Sequence, residues 1–416
     1  MLVSGLRHRF QVYIPLIATT GSMAIRALFP ILGAYFFSQE DYVTAVAFVG
    51  ILSIVGMIAG LEFHSVIIRE LSKNIVSARY RQRAVFKNLA TAIPRVLISS
   101  VFIWSLIWPI IGGKLAQPAT LILLPLIVFL DLILCEASRI HNTTGEFVVG
   151  TILTNAKNVG WLFILPFILL TGLSVVDSLI LSYGFSLIVL ILLFGNDFRI
   201  RDLIALPKCS SKNIQRFFLT LRGSIFLLLV GWIGLLNPMV ERYMLALSEN
   251  IEFTANFFFM GSLAAIAYVL TTNITLIPFH STLLRPKNLE NIVVVQLMKR
   301  ILVTCLLVVA GLISMFWLIP QEYFPENILK KWDIFLPLVI ASQIMVIGSF
   351  FSIRLYAAKA DVKLLAVSIA EFLMRVGLVF LLIRMNTFHH IPIGMMWLTA
   401  MMCLIRFFIY RAVNIK

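Results

Sequence analysis

The stretch ILVTCLLVVAGLISMFWLIP, residues 301–320, carries no charged side chain. A helix of that length, rising ~1.5 Å per residue, crosses the ~30 Å hydrocarbon core of a bilayer. Segments of the same character recur along the chain, at 12–37, 43–68, 89–112, 119–138, 147–171, 175–195, 223–247, 254–279, 334–356, 364–383 and 392–410. Asp131 and Glu136 interrupt the apolar character of 119–138. In lipid every backbone N–H and C=O must be satisfied within its own segment, so each stretch is read as a helix. The composition agrees: 60% of residues are hydrophobic, 13% are charged, and the mean hydropathy is +0.99. That is too apolar for a soluble domain. The expected class is all-α, a polytopic membrane protein with about twelve transmembrane helices.

Charge placement orients these helices. With both termini on one side, the loops on that side hold Arg69, Lys73, Arg79, Arg81, Arg83, Lys87 and Arg139, then Arg199, Arg201, Lys208, Lys212, Arg216 and Arg222. Arg285, Lys287, Lys299, Arg300, Lys359 and Lys363 continue the series, and Arg7, Arg9, Arg411 and Lys416 extend it to the chain ends. Across the bilayer stand Lys114, Lys330 and Lys331. Basic loops mark the cytoplasmic face, so both termini are expected there. The net charge of +15 then follows from topology, and nucleic acid is not expected as a partner. Arg7 and Arg9 before an apolar run loosely resemble a secretion signal, but the run makes a full span only if it is left uncut.

Some charges fall where lipid tails belong. Arg26, Arg95, Lys157, Arg242 and Arg375 lie inside apolar segments, against the acids Asp131, Glu241 and Glu371. A charge at that depth costs at least ~2.5–3.5 kcal/mol and normally faces a protein interior or a wet cavity. An excess of buried cations points to a path for an anion. Each charge also has a plainer reading. Glu371 and Arg375 stand four apart on one helix face and can neutralise each other, whereas Glu241 and Arg242 point about 100° apart. Arg354 and Arg406, near the cytoplasmic ends of their spans, are expected to snorkel to water, and Arg95 can do the same. Arg26 and Lys157 have no acid three or four residues away, so their structural partners would be Asp131 or Glu136 on a neighbouring helix. Cys135, Cys209, Cys305 and Cys403 and the six histidines show no metal-ligand or disulfide spacing, so no metal and no cofactor is expected. No Gly-rich phosphate loop of the Walker type is present.

The longest polar interruption holds Asp197, Arg199, Arg201, Asp202, Pro207, Lys208, Ser210, Ser211 and Lys212. It divides the chain into an N-terminal lobe (1–198), a cytoplasmic linker (199–221) and a C-terminal lobe (222–416), six helices to a lobe. Transporters built from two such repeats bind their substrate between the repeats.

Two stretches carry a family resemblance. Phe37-Ser38-Gln39-Glu40-Asp41-Tyr42, followed by a helix ending Ile68-Arg69-Glu70-Leu71-Ser72-Lys73, resembles the first hairpin of the O-antigen and polysaccharide flippases. These form a branch of the multidrug/oligosaccharidyl-lipid/polysaccharide exporter superfamily. Glu241-Arg242-Tyr243-Met244-Leu245-Ala246-Leu247-Ser248 is similar to that branch's seventh-helix pattern, with Glu241 where the family commonly has Asp. The resemblance is strongest over 20–90 and 237–287. It implies a V-shaped exporter fold and no enzymatic activity. The implied function is movement of undecaprenyl-pyrophosphate-linked oligosaccharide, an O-unit or capsule repeat, from the inner to the outer leaflet of the bacterial plasma membrane. Alternating access through a cationic cavity would carry it. On that expectation Arg26, Lys157, Arg242, Arg375 and Arg95 bind substrate, while Asp131 and Glu371 couple transport to an ion gradient. The implied partners are a lipid-linked anionic oligosaccharide, membrane lipids and a polysaccharide polymerase complex. A cation-coupled multidrug antiporter of the same superfamily is the alternative. Flippases of the murein precursor usually carry more spans than this chain offers.

Overall fold

The computed structural model describes residues 29–60, 92–111, 123–144, 174–194, 211–276, 283, 291–326 and 328–414. Every regular element among them is helical. After the short helical stretch α1 (residues 29–36) come α2 (Gln39–Gly60), α3 (Ala92–Ile111), α4 (Leu124–Thr144), α5 (Val175–Phe194) and α6 (Ser211–Leu236). Then follow α7 (Val240–Ala246), α8 (Ile251–Thr275), α9 (Asn291–Leu318), α10 (Trp332–Ala357), α11 (Asp361–Arg384) and α12 (Ile391–Asn414). Among the described residues six helical stretches are long and apolar enough to cross a membrane: Val175–Leu192, Ile251–Thr275, Val294–Leu318, Trp332–Ala357, Asp361–Arg384 and Phe388–Val413, the last entering α12 through the 3₁₀ turn Phe388–His390. They overlay the expected spans from 175–195 and from 254–279 onward. The segment expected at 147–171 lies outside the described residues.

Local chemistry starts and stops these helices. The Ser38 hydroxyl accepts from the Asp41 N–H at 3.2 Å and donates to the Asp41 carboxylate at 2.8 Å, closing a cap at the start of α2. Ser174 and Asp177 repeat the arrangement at α5, with distances of 3.1 and 2.7 Å. Asn250 caps α8, its side-chain oxygen accepting from the Phe253 N–H at 3.0 Å. At the far ends of α10 and α11 the chain turns through Lys359 (φ 57°) and Asn386 (φ 54°). There the Ala360 and Thr387 N–H groups reach back to the Leu355 and Leu382 carbonyls, so helix-end carbonyls are satisfied in the left-handed closing turn.

The described residues gather into two compact units. One is drawn from Ala47–Trp232, the other from Ala27–Val46 together with Ile233–Lys416. Both divisions therefore fall inside helices, in α2 and α6. In the first unit α4 packs against α3 and α5. In the second, α10 is central, packed on α12, α8 and α9, with α11 alongside α12 and α7. Its core includes Leu276, Leu283, Ile301, Val346, Phe350 and Phe351. Tyr35 of the first hairpin belongs to this second unit and donates to the Tyr323 carbonyl.

Part of the outside of the second unit is strongly apolar. Only 17% of the most apolar window of α9 is buried, and Leu306, Leu307 and Trp317 stand about 70% exposed. Such a surface in water would be an aggregation site; against lipid tails it is matched. The protein is a multi-pass, membrane-type helical bundle.

Candidate functional site: a buried charge network on three helices

The sequence reading expected one unbroken span over 223–247. The structure breaks it: α6 ends at Leu236, Asn237–Met239 forms a 3₁₀ turn, and α7 resumes at Val240. Pro238 is the cause, since it offers no N–H and its ring crowds the carbonyl one turn earlier. α6 also begins at Ser211, so the described end of the expected linker is already helical. Interrupted helices in transporters place side chains at depths where lipid would otherwise forbid them. Glu241 and Arg242 follow directly on this interruption.

Glu241 faces α11. Arg375 Nη1 lies 3.4 Å from each of its carboxylate oxygens. The second nitrogen of the same fork, Nη2, lies 3.2 Å from Glu371 Oε1, one helical turn away, and 3.4 Å from Thr399 Oγ1 on α12. Thr399 is itself held by donating to the Met395 carbonyl at 2.8 Å. The other oxygen of Glu371 accepts from Arg406 Nη2 of α12. The result is an alternating chain, Glu241–Arg375–Glu371–Arg406, linking α7, α11 and α12. Its side chains are only 5–13% exposed. Buried charges require this kind of mutual pairing, because desolvating an unpaired one costs several kcal/mol.

Arg406 reaches Glu371 past a residue without a side chain. A Cβ added to Gly348 of α10 would stand 3.3 Å from Arg406 Nη1. Arg406 was expected to snorkel, and that expectation is corrected: with a buried carboxylate within reach, the guanidinium turns inward. Arg354 is corrected likewise, since it is buried and its Nη1 donates to the Leu283 carbonyl at 3.0 Å. The Glu371–Arg375 pairing at four-residue spacing is as the sequence anticipates.

Arg242 stands apart from this chain. It is half-buried, on the helix that carries Glu241, and its Nη2 lies 3.7 Å from where a Gly261 Cβ would be on α8. Among the described residues it makes no hydrogen bond and no ion pair. The four members of the chain sum to zero charge, which leaves Arg242 as the local surplus.

Of the other candidate residues, Arg95 on α3 and Asp131 on α4 are fully enclosed within the first unit. Enclosure excludes the water-seeking alternative for Arg95. Cys135 Sγ lies 4.0 Å from Asp131 Oδ1, one turn along α4. Arg26 and Lys157 lie outside the described residues. Among the described residues no three His, Cys, Asp or Glu side chains gather as a metal site would require. The sequence reading did not single out Thr399 or Gly348, and it met Tyr42 only as part of a hairpin motif. Tyr42 is 1% exposed, and its hydroxyl has no hydrogen-bond partner.

No protein-family model matches the chain, and no curated protein matches its sequence. Solved structures do match its fold. An inward-facing multidrug-resistance MATE transporter of the MOP superfamily superposes with TM-score 0.66 at 16% identity, covering 98% of both chains. The lipid II flippase MurJ, in an inward closed conformation, gives 0.65 at 13% identity, covering 96% of this chain and 87% of its own. A eukaryotic MATE transporter gives 0.57 at 14% identity, with 97% and 95% covered. The chain therefore has the fold of MOP-superfamily transporters and flippases.

Proposed function

We propose that this protein flips a lipid-linked anionic oligosaccharide, an undecaprenyl-pyrophosphate-bound O-unit or capsule repeat, from the inner to the outer leaflet of the bacterial plasma membrane. The observation that carries the reading is the surplus guanidinium of Arg242 beside a chain of mutually neutralised charges. A guanidinium fork binds phosphate oxygens in bidentate fashion, and its attraction strengthens where water is scarce. The polyprenyl tail would stay in lipid while the pyrophosphate passes along protein. An inside-negative potential favours outward movement of an anion by ~2.3 kcal/mol per charge per 100 mV. No bond is broken, so the protein acts as a transporter and not as an enzyme. In this reading Arg26, Arg95 and Lys157 are further cations proposed to act on the substrate, and Asp131 is the protonatable group that couples the cycle to an ion gradient.

The enclosed carboxyl of Asp131 also favours a second reading, a cation-coupled multidrug antiporter. MATE transporters share the fold at similar scores. One experiment separates the two. In a deletion strain expressing Arg242→Gln at native level, surface glycan per folded transporter should fall about tenfold or more, the scale of one lost charge-assisted contact. Normal glycan display in the deletion strain, together with drug hypersensitivity, would replace the flippase reading with the antiporter.

A further inference from the structure

Arg375 belongs to the substrate-binding set on sequence grounds, but its surroundings point elsewhere. Both terminal nitrogens of its guanidinium are already engaged: Nη1 on both Glu241 oxygens at 3.4 Å, Nη2 on Glu371 at 3.2 Å and on Thr399 at 3.4 Å. The residue is 4% exposed. An incoming anion would have to displace two carboxylates to reach it. Glu241, by contrast, is the residue next to Arg242. Left without a counter-charge, its carboxylate would cancel the one surplus cation nearby.

We infer that Arg375 is a positioning residue: it neutralises Glu241 and holds it toward α11, so that the adjacent Arg242 remains available to a phosphate-bearing substrate. The inference rests on the flippase reading and deepens it. Glu371 and Arg406 complete the device. Arg406 occupies one oxygen of Glu371, which leaves the other to orient the Arg375 fork, and Thr399 braces the same nitrogen. The net charge around Arg242 is thus set by a residue two steps away, through Glu241 to Arg375. With Arg375 present the cluster including Arg242 sums to +1; with Arg375 neutralised it sums to zero. Neutralising Glu241 at the same time returns it to +1. A residue that touched the anion directly could not be rescued in that way.

The test is the affinity of the purified full-length protein for inorganic pyrophosphate, measured by titration calorimetry in detergent, with folded protein quantified by size exclusion. Arg375→Gln should bind about tenfold more weakly than the unmodified chain, the scale of one uncompensated charge at close range. Glu241→Gln should bind at least as tightly. Glu241→Gln/Arg375→Gln should return to within about threefold of the unmodified affinity, since it removes a buried pair together rather than stranding one partner. A double variant as weak as Arg375→Gln would mean that Arg375 itself holds the anion, and would overturn the inference while leaving the flippase reading intact. Unmodified affinity in the folded fraction of Arg375→Gln would reduce the residue to a structural brace and overturn it equally. If Arg375→Gln yields no folded protein, the double variant against the unmodified chain decides the matter alone. Failure of the unmodified chain to bind pyrophosphate, or undiminished binding by Arg242→Gln, would instead overturn the proposed function on which the inference stands.

Discussion

Removing the Glu371 carboxylate separates a structural role from a coupling one. Glu371 is 4% exposed and holds a guanidinium on each oxygen, Arg375 at 3.2 Å on Oε1 and Arg406 on Oε2. The Nε atoms of both arginines are buried without a hydrogen-bond partner, so the network has no reserve acceptor. Glu371→Ala would strand Arg406 and leave Arg375 with Glu241 and Thr399. Breaking one buried pair costs about 3–5 kcal/mol, a large share of the ~5–15 kcal/mol that holds a domain together. At about 2–4 °C per kcal/mol for a unit of this size, the unfolding midpoint should fall by roughly 6–20 °C. Glu371→Ala/Arg406→Leu should recover much of that loss, because an apolar pair removes the stranded charge. The assay is thermal unfolding in detergent, read by tryptophan fluorescence and size exclusion. A midpoint within 2 °C of the unmodified protein, with transport abolished, would refute this reasoning and return Glu371 to the coupling role assigned to it on sequence grounds; the 2 °C threshold is about the effect of a single kcal/mol.

Two further outcomes follow. Gly348→Ala should lower the unfolding midpoint: helix propensity gains up to ~1 kcal/mol, but a Cβ 3.3 Å from the pinned Arg406 Nη1 overpacks the site at a cost of about 1–3 kcal/mol, and a raised midpoint would contradict it. Compartment reporters fused after Lys416 and inserted at Asn250 should give opposite signals, cytoplasmic and external, as the basic loops require; matching signals would overturn the orientation.

The helices of the second unit were legible because length and apolarity suffice to define a span in lipid. Residues 334–356 and 364–383 lie within α10 and α11 as found. The interruption at Asn237–Met239 was written in Pro238 but masked by the apolarity on either side of it. The Glu371–Arg375 pair was readable from four-residue spacing alone. Arg406 was not, because its partner lies 35 residues earlier in the chain, and only the packing of α11 on α12 brings the two together. The same limit hid the second carboxylate on Arg375: Glu241 meets it across a separation of 134 residues. Charges within one helix can be paired by counting; charges between helices cannot.

The first hairpin has a bearing on how the chain is made. Its residues up to Val46 pack with Ile233–Lys416, and Tyr35 bonds to Tyr323. During synthesis these residues emerge before their partners, which follow only after Ala47–Trp232 has been added. At about 5–20 residues per second that is a wait of roughly 10–40 s. Docking of this earlier-made hairpin onto later-made helices then becomes a late step of assembly, and a chain cut short of Tyr323 lacks the carbonyl that Tyr35 bonds.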